Sequence, residues 1–88
     1  VSGPRLTQKA RLKWDGRENR YLLLYPERGL ALSDTASQIL KLCDGSHPVE
    51  AIVDELARTR PNTDREIIAA DVASFLDQMR KRGIVRDT

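Results

Sequence analysis

The 88-residue chain has one cysteine, one histidine, one tryptophan, one phenylalanine and two tyrosines, and these shortages exclude more than the rest of the composition does. With Cys43 alone no internal disulfide can form, and a reducing cytoplasm is the expected compartment. Cys43 and His47 offer two metal ligands where zinc takes four in structural sites and three in catalytic ones, so neither a metal nor a cofactor is expected. Ser33 and Ser37 have no histidine within local reach, and a Cys43–His47 dyad would also need an oxyanion site and a pocket. Cys43 therefore reads as a core residue and the chain as a non-enzyme with no catalytic residue. A phosphate-cradling loop is missing too, because "RGLALS" lacks the glycine spacing and the lysine of such motifs. The longest apolar stretch, "YLLLYP", falls far short of the ~20 residues that span a bilayer. No basic segment followed by an apolar run opens the chain, so a soluble, untargeted protein away from membranes is expected.

What is present is ordinary for a folded domain: 40% hydrophobic and 32% charged residues, with a net charge of +2. Nucleic acid is permitted by that balance and not demanded. A chain this short buries only roughly 60–70% of its unfolded surface, which argues against a deep enzyme cleft. Residues 1–9, "VSGPRLTQK", carry no period and are expected to be a flexible arm before a single domain over residues 10–88.

In "ARLKWD", Ala10, Leu12 and Trp14 alternate with charged residues, the period of a half-buried strand. After the turn "DGREN", the run "RYLLLY" predicts a second, central strand buried on both sides, stopped by Pro26. "GLALS" predicts a short third strand, with Leu30 and Leu32 on one side and Ala31 on the other. Three helices follow. Ser33 or Asp34 caps the first, on which Ala36, Ile39, Leu40 and Cys43 recur at helical spacing, with Gly45 as a left-handed C-terminal cap. Pro48 opens the second in its first turn, with Val49, Ile52, Val53 and Leu56 on one face. The third begins at a "TDRE" capping box of Thr63 and Glu66, carries the stripe Ile68, Val72, Phe75, Leu76 and Met79, and closes at Gly83. "IVRD" returns as an extended tail on the sheet. The sum is an α+β domain, a three-stranded antiparallel meander followed by a three-helix bundle, with helix-turn-helix-like loops.

Three surfaces are candidates for function. Asp64, Asp71 and Asp77 follow helical spacing and read mainly as solvated helix surface, with an acidic edge for a basic peptide as the functional reading. Arg58, Arg60 and Arg65 flank the second and third helices where a winged-helix protein would approach DNA, although Asp71 and Asp77 would face phosphates there. The short third strand leaves a sheet edge on which another chain can add a strand.

Taken together, "YPERGLALSDTASQILKLCDGSHPVEAIVDEL" and "IIAADVASFLDQMRKRGIV" resemble the pyrroloquinoline quinone biosynthesis protein D family, PqqD. The ordered set is Pro26-Glu27, Leu32-Ser33, Leu42-Cys43-Asp44-Gly45, Val49 with Ile52, Asp71-Val72 with Phe75-Leu76, and Gly83. Ser33 stands where asparagine is usual and keeps an N-cap, whereas Pro48 stands where threonine is usual and moves the second cap toward Ser46 or His47. The resemblance spans residues 11–86. It implies a winged-helix-like recognition domain that binds the precursor peptide of the quinone cofactor and delivers it to a radical S-adenosylmethionine enzyme, which itself carries the iron-sulfur clusters. The peptide would lie extended between the third strand, at Gly29, Leu30, Ala31 and Leu32, and the third helix, at Ile68, Asp71, Val72, Phe75 and Met79. Phe75 and Met79 are the residues expected to meet it, with Val72 and Leu76 holding the core. A homodimer is admitted, nucleic acid is not expected, and the DNA-binding winged helix is the alternative.

Overall fold

The computed structural model of the chain describes residues 3–26 and 28–87, so Glu27 of the Pro26-Glu27 step lies outside the described residues. Its elements run β1 (Pro4–Leu6), β2 (Arg11–Asp15), β3 (Arg20–Tyr25), β4 (Arg28–Ala31), α1 (Asp34–Lys41), α2 (Val49–Thr59), α3 (Arg65–Lys81) and β5 (Val85–Asp87). The expected meander is present as an antiparallel sheet in the order β2-β3-β4. β3 is central because its apolar run has a partner to offer on each side: Leu23 faces Leu12 of β2 and Leu30 of β4. It is covered on one face only. Leu23 is 0% exposed, while Leu22 and Leu24 on the opposite face are half-buried, so the sheet has one packed side instead of two.

Each helix buries the stripe its spacing dictates. α1 contributes Ile39 and Leu40, α2 contributes Ile52, Val53 and Leu56, and α3 contributes Ile68, Val72, Leu76 and Met79. These close over Leu23, Leu32, Cys43, Ile84 and Val85 in one core. Each large apolar side chain so buried contributes roughly 1.5–3 kcal/mol, which is how helices this short are held in place.

The ends of the helices depart in part from the sequence reading. Ser33 does cap α1, its Oγ accepting from the Ala36 N–H at 3.1 Å. The C-cap of α1 is Leu42, and Gly45 uses its positive φ of 85° beyond the helix, turning the chain so that its N–H donates to the Pro4 carbonyl. Pro48 is itself the N-cap of α2, with no side-chain cap bond; Ser46 instead donates from both N–H and O–H to Asp44 Oδ1. The Thr63–Glu66 capping box does not form, because α3 starts one residue later with Asp64 as N-cap and again no side-chain cap bond. Arg65, the first residue of α3, pairs with Asp54 of α2, so a tertiary contact holds the helix start where a local one was expected. Gly83 (φ 72°) follows the Arg82 C-cap as anticipated.

The larger correction concerns the arm. Pro4–Leu6 is a strand, and the C-terminal tail pairs with it in a separate two-stranded antiparallel sheet instead of packing on the meander. Pro4 is fully buried, the Leu6 N–H donates to the Cys43 carbonyl, and Thr7 Oγ1 donates to the Gly83 carbonyl 76 residues away. Three residues are too few to show a period, and the partner comes from the far end of the chain, so no local signal announced this strand. Gly3 packs so closely on the His47 carbonyl that a Cβ there would overlap it. Gly3→Ala is therefore expected to cost about 1–3 kcal/mol through backbone displacement, read as a lower urea midpoint at unchanged slope.

Candidate functional site

β4 is an edge strand, bonded only to β3 among the described residues, and every residue in it is exposed. The Leu32 N–H donates to the Tyr21 carbonyl at 3.0 Å, which sets the phase of the ladder. By the alternation of antiparallel pairs, Leu30 then bonds inward to Leu23, while the N–H and C=O groups of Gly29 and Ala31 point away from the sheet. Four backbone groups are thus presented to a further strand. Leu30 shares the helix-facing side with Leu23, yet it is 37% exposed where Leu23 is sealed. The helices therefore cover the packed face as far as β3 and leave it uncovered along β4, a groove floor beside an unpaired edge.

The predicted helical half of the site divides. Asp71 is exposed and Phe75 half-buried, so both can meet a ligand. Ile68, Val72 and Met79 belong to the core, as does Leu32 beyond the end of β4. Met79, expected with Phe75 to meet the peptide, is 3% exposed and supports the fold with Val72 and Leu76. Periodicity gives the apolar stripe, and the neighbours of α3 decide which flank stays open; those neighbours are chiefly α2 and β5. Met79→Asp would bury an unpaired carboxylate. Loss of the folded state, seen by circular dichroism, is the expected outcome, not a selective loss of binding.

Sequence reasoning does not single out Ile67 or Thr35, and it weighs Arg60 only as a DNA contact. Ile67 stands beside Asp71 on α3 at one turn's spacing and is 53% exposed. A cleft of about 220 Å³ joins Ile68, Asp71 and Val72 to Arg60 and Thr35. Arg60 is held there by Gln38 Oε1 and Thr35 Oγ1, both at 2.8 Å, and so is ordered by neutral acceptors. Its enlistment by α1 joins residues more than twenty positions apart, which no local pattern reveals. Arg58 and Arg65 are paired with Glu55 and Asp54, so the cations that flank α2 and α3 are all engaged within the chain.

Cys43 Sγ donates to the Ile39 carbonyl at 3.2 Å. Burial, with a smaller push from Asp44, raises the thiol from 9.0 to about 12. A thiol held protonated is a poor nucleophile. Below pH 9 folded and unfolded chains both keep the proton; above it the unfolded chain ionises first, so stability falls as pH rises from 9.0 toward about 12. Alkylation by iodoacetamide at pH 8 is expected to be far slower in the native protein than in urea. Among the described residues no cluster of three or more His, Cys, Asp or Glu could hold a metal ion, and no helix is long and apolar enough to cross a membrane.

A family profile described as coenzyme PQQ synthesis protein D (PqqD) matches residues 20–85, from the start of β3 to the start of β5. The chain belongs to the PqqD family. Among its PqqD relatives, the PqqA binding protein of Rhodopseudomonas palustris strain BisB5 is 41% identical over 99% of this chain and 84% of its own length. The PqqA binding protein of Methylococcus capsulatus is 38% identical over 93% of this chain and 85% of its own length. The fold is likewise that of a solved PqqD, the truncation of Methylobacterium extorquens PqqCD described as a functional, stand-alone recognition element for ribosomally synthesized and post-translationally modified peptides. Its solution structure has a TM-score of 0.77 and 36% identity, covering 94% of this chain and 87% of that one.

Proposed function

We propose that this PqqD-family chain is a non-catalytic peptide-binding chaperone that holds a PqqA-type precursor peptide as an added strand on β4 and presents it to a radical S-adenosylmethionine enzyme. The observation that carries this reading is the unpaired β4 edge with Leu30 uncovered beside it. The names of the relatives, which describe PqqA binding proteins and a peptide recognition element, support the same ligand class.

Magnitudes decide what else the site must supply. Four ladder bonds at a net ~0.5–1.5 kcal/mol each give about 2–6 kcal/mol, against an association cost of about 4–15 kcal/mol. Backbone pairing alone does not hold a peptide. Two or three apolar side chains buried at ~1.5–3 kcal/mol each raise the favourable sum to about 5–15 kcal/mol, enough to offset that cost. Leu30, Phe75 and Ile67 are the accessible apolar groups that offer such contacts, with the Arg60–Asp71 cleft giving a polar end. The DNA-binding alternative has less behind it, since Arg58 and Arg65 already pair with the carboxylates of Glu55 and Asp54.

The deciding measurement is titration of isotope-labelled protein with precursor peptide and, separately, with duplex DNA. Ala31→Pro removes an outward N–H and is expected to keep the fold while weakening peptide binding at least about tenfold, or 1.4 kcal/mol. Leu30→Pro removes an inward N–H and is expected to lower thermal stability instead. Peptide affinity unchanged in a folded Ala31→Pro protein rules out strand addition at β4.

A further inference from the structure

A further cleft lies away from β4, against the two-stranded sheet. It measures about 800 Å³ and contains Arg5, Lys9 and Arg86 beside Leu6. A second cleft of about 370 Å³ shares Gln8 and Lys9 with it and continues to Arg11, Leu24, Tyr25 and Pro26. Among the described residues four cations line the two clefts and no carboxylate does.

That arrangement costs stability as it stands. Arg5 and Arg86 are direct register partners in the β1–β5 pair, which puts their Cβ atoms roughly 4.5–5.5 Å apart on one face, an unfavourable position for like charges. Among the described residues neither makes an ion pair, whereas Arg58, Arg65, Arg80 and Lys81 each sit on a carboxylate. The nearby acids are committed elsewhere. Asp87 takes Arg80 from the other face of β5. Asp44 bridges the backbone of Arg5, but its Oδ1 is occupied by Ser46 and His47, whose hydrogen bonds hold its carboxyl well below the usual carboxylate range. Lys9 Nζ lies 2.9 Å from where a Gly83 Cβ would stand, at the negative end of the α3 dipole. Cations aligned this way, with no counter-charge among the described residues, are complementary to an anionic surface.

We infer that this basic cleft is a docking surface for a carboxylate-rich segment of a second protein, separate from the peptide-binding edge. Two observations favour a protein over a nucleic acid. The cleft is floored by Leu6, Leu24, Tyr25 and Pro26, the mixture of apolar, aromatic and arginine groups that protein interfaces use. Charge is also divided along the chain: residues 1–31 hold seven cations against three acids, and residues 32–88 hold ten acids against eight cations. A long polyanion leaving the cleft meets the acidic helical part, whereas a local acidic segment does not. Because β1 and β5 form a sheet of their own, a partner here and a strand on β4 can be held together.

The test is titration of isotope-labelled protein with an oligoglutamate peptide at low salt, repeated with an oligothymidylate of equal charge and with the precursor peptide. Oligoglutamate is expected to shift the amides of Arg5, Lys9, Arg11 and Arg86. The double variant Arg5→Gln, Arg86→Gln is expected to lose about tenfold in that affinity while its melting temperature stays level or rises, since a repulsion has been relieved. A double variant with the same charge change elsewhere, Arg17→Gln, Arg20→Gln, is expected to bind as before. The inference is overturned if the shifts scatter over every cation, if the control variant loses as much, or if oligothymidylate binds more tightly. It is equally overturned if Arg5→Gln, Arg86→Gln lowers the melting temperature, which would make the arginines structural. Precursor peptide shifting these same amides would merge the cleft with the peptide site and remove its separate role, whereas failure of β4 binding alone would leave it standing.

Discussion

The scarcity of core material governs this molecule. Leu23, Ile39, Leu40, Ile52, Leu56, Val72, Leu76 and Ile84 are the large apolar side chains fully removed from solvent, and together they pin three short helices to one face of one central strand. Helices of eight to seventeen residues do not persist alone in water, so their packing into this shared core is what makes them helices at all. That packing is exhausted at β3. Among the described residues the next strand outward has no strand beyond it, Leu30 is left uncovered, and the exposed edge follows from where the core stops.

An exposed edge is ordinarily an aggregation hazard. Here it is kept short, four residues opening with Arg28, while the opposite edge strand carries Arg11, Lys13 and Asp15. A recognition domain gains from this compromise. On the proposed reading the backbone groups of Gly29 and Ala31 would pair with an extended chain, leaving discrimination to side chains such as Leu30, Phe75, Asp71 and Arg60. The lone cysteine is turned inward, onto the Ile39 carbonyl.

The tie between the chain's two ends has a different consequence. β1 and β5 close the core beneath Ile84 and Val85, and Thr7 and Lys9 meet the end of α3 at Gly83. The same pairing sets Arg5 against Arg86. Stability gained by joining the ends is partly given back in charge repulsion, a trade that a chain under no demand to display positive charge would avoid.

The elements themselves were legible because they rest on local chemistry: period two in "ARLKWD", helical spacing in the stripes of α1, α2 and α3, Ser33 where an N-cap is needed and Gly83 where only a left-handed residue fits. The family was legible from the order in which these recur. Three things were settled only in three dimensions. The strand at Pro4–Leu6 needed a partner from the other end of the chain. The burial of Met79 beside the accessibility of Phe75 depended on which neighbours flank α3. Arg60 entered the cleft through Thr35 and Gln38 of a different helix. A periodic pattern specifies a face, since that follows from backbone geometry within one element; which part of the face is covered follows from the placement of all the others, and that is fixed only when the chain has closed on itself.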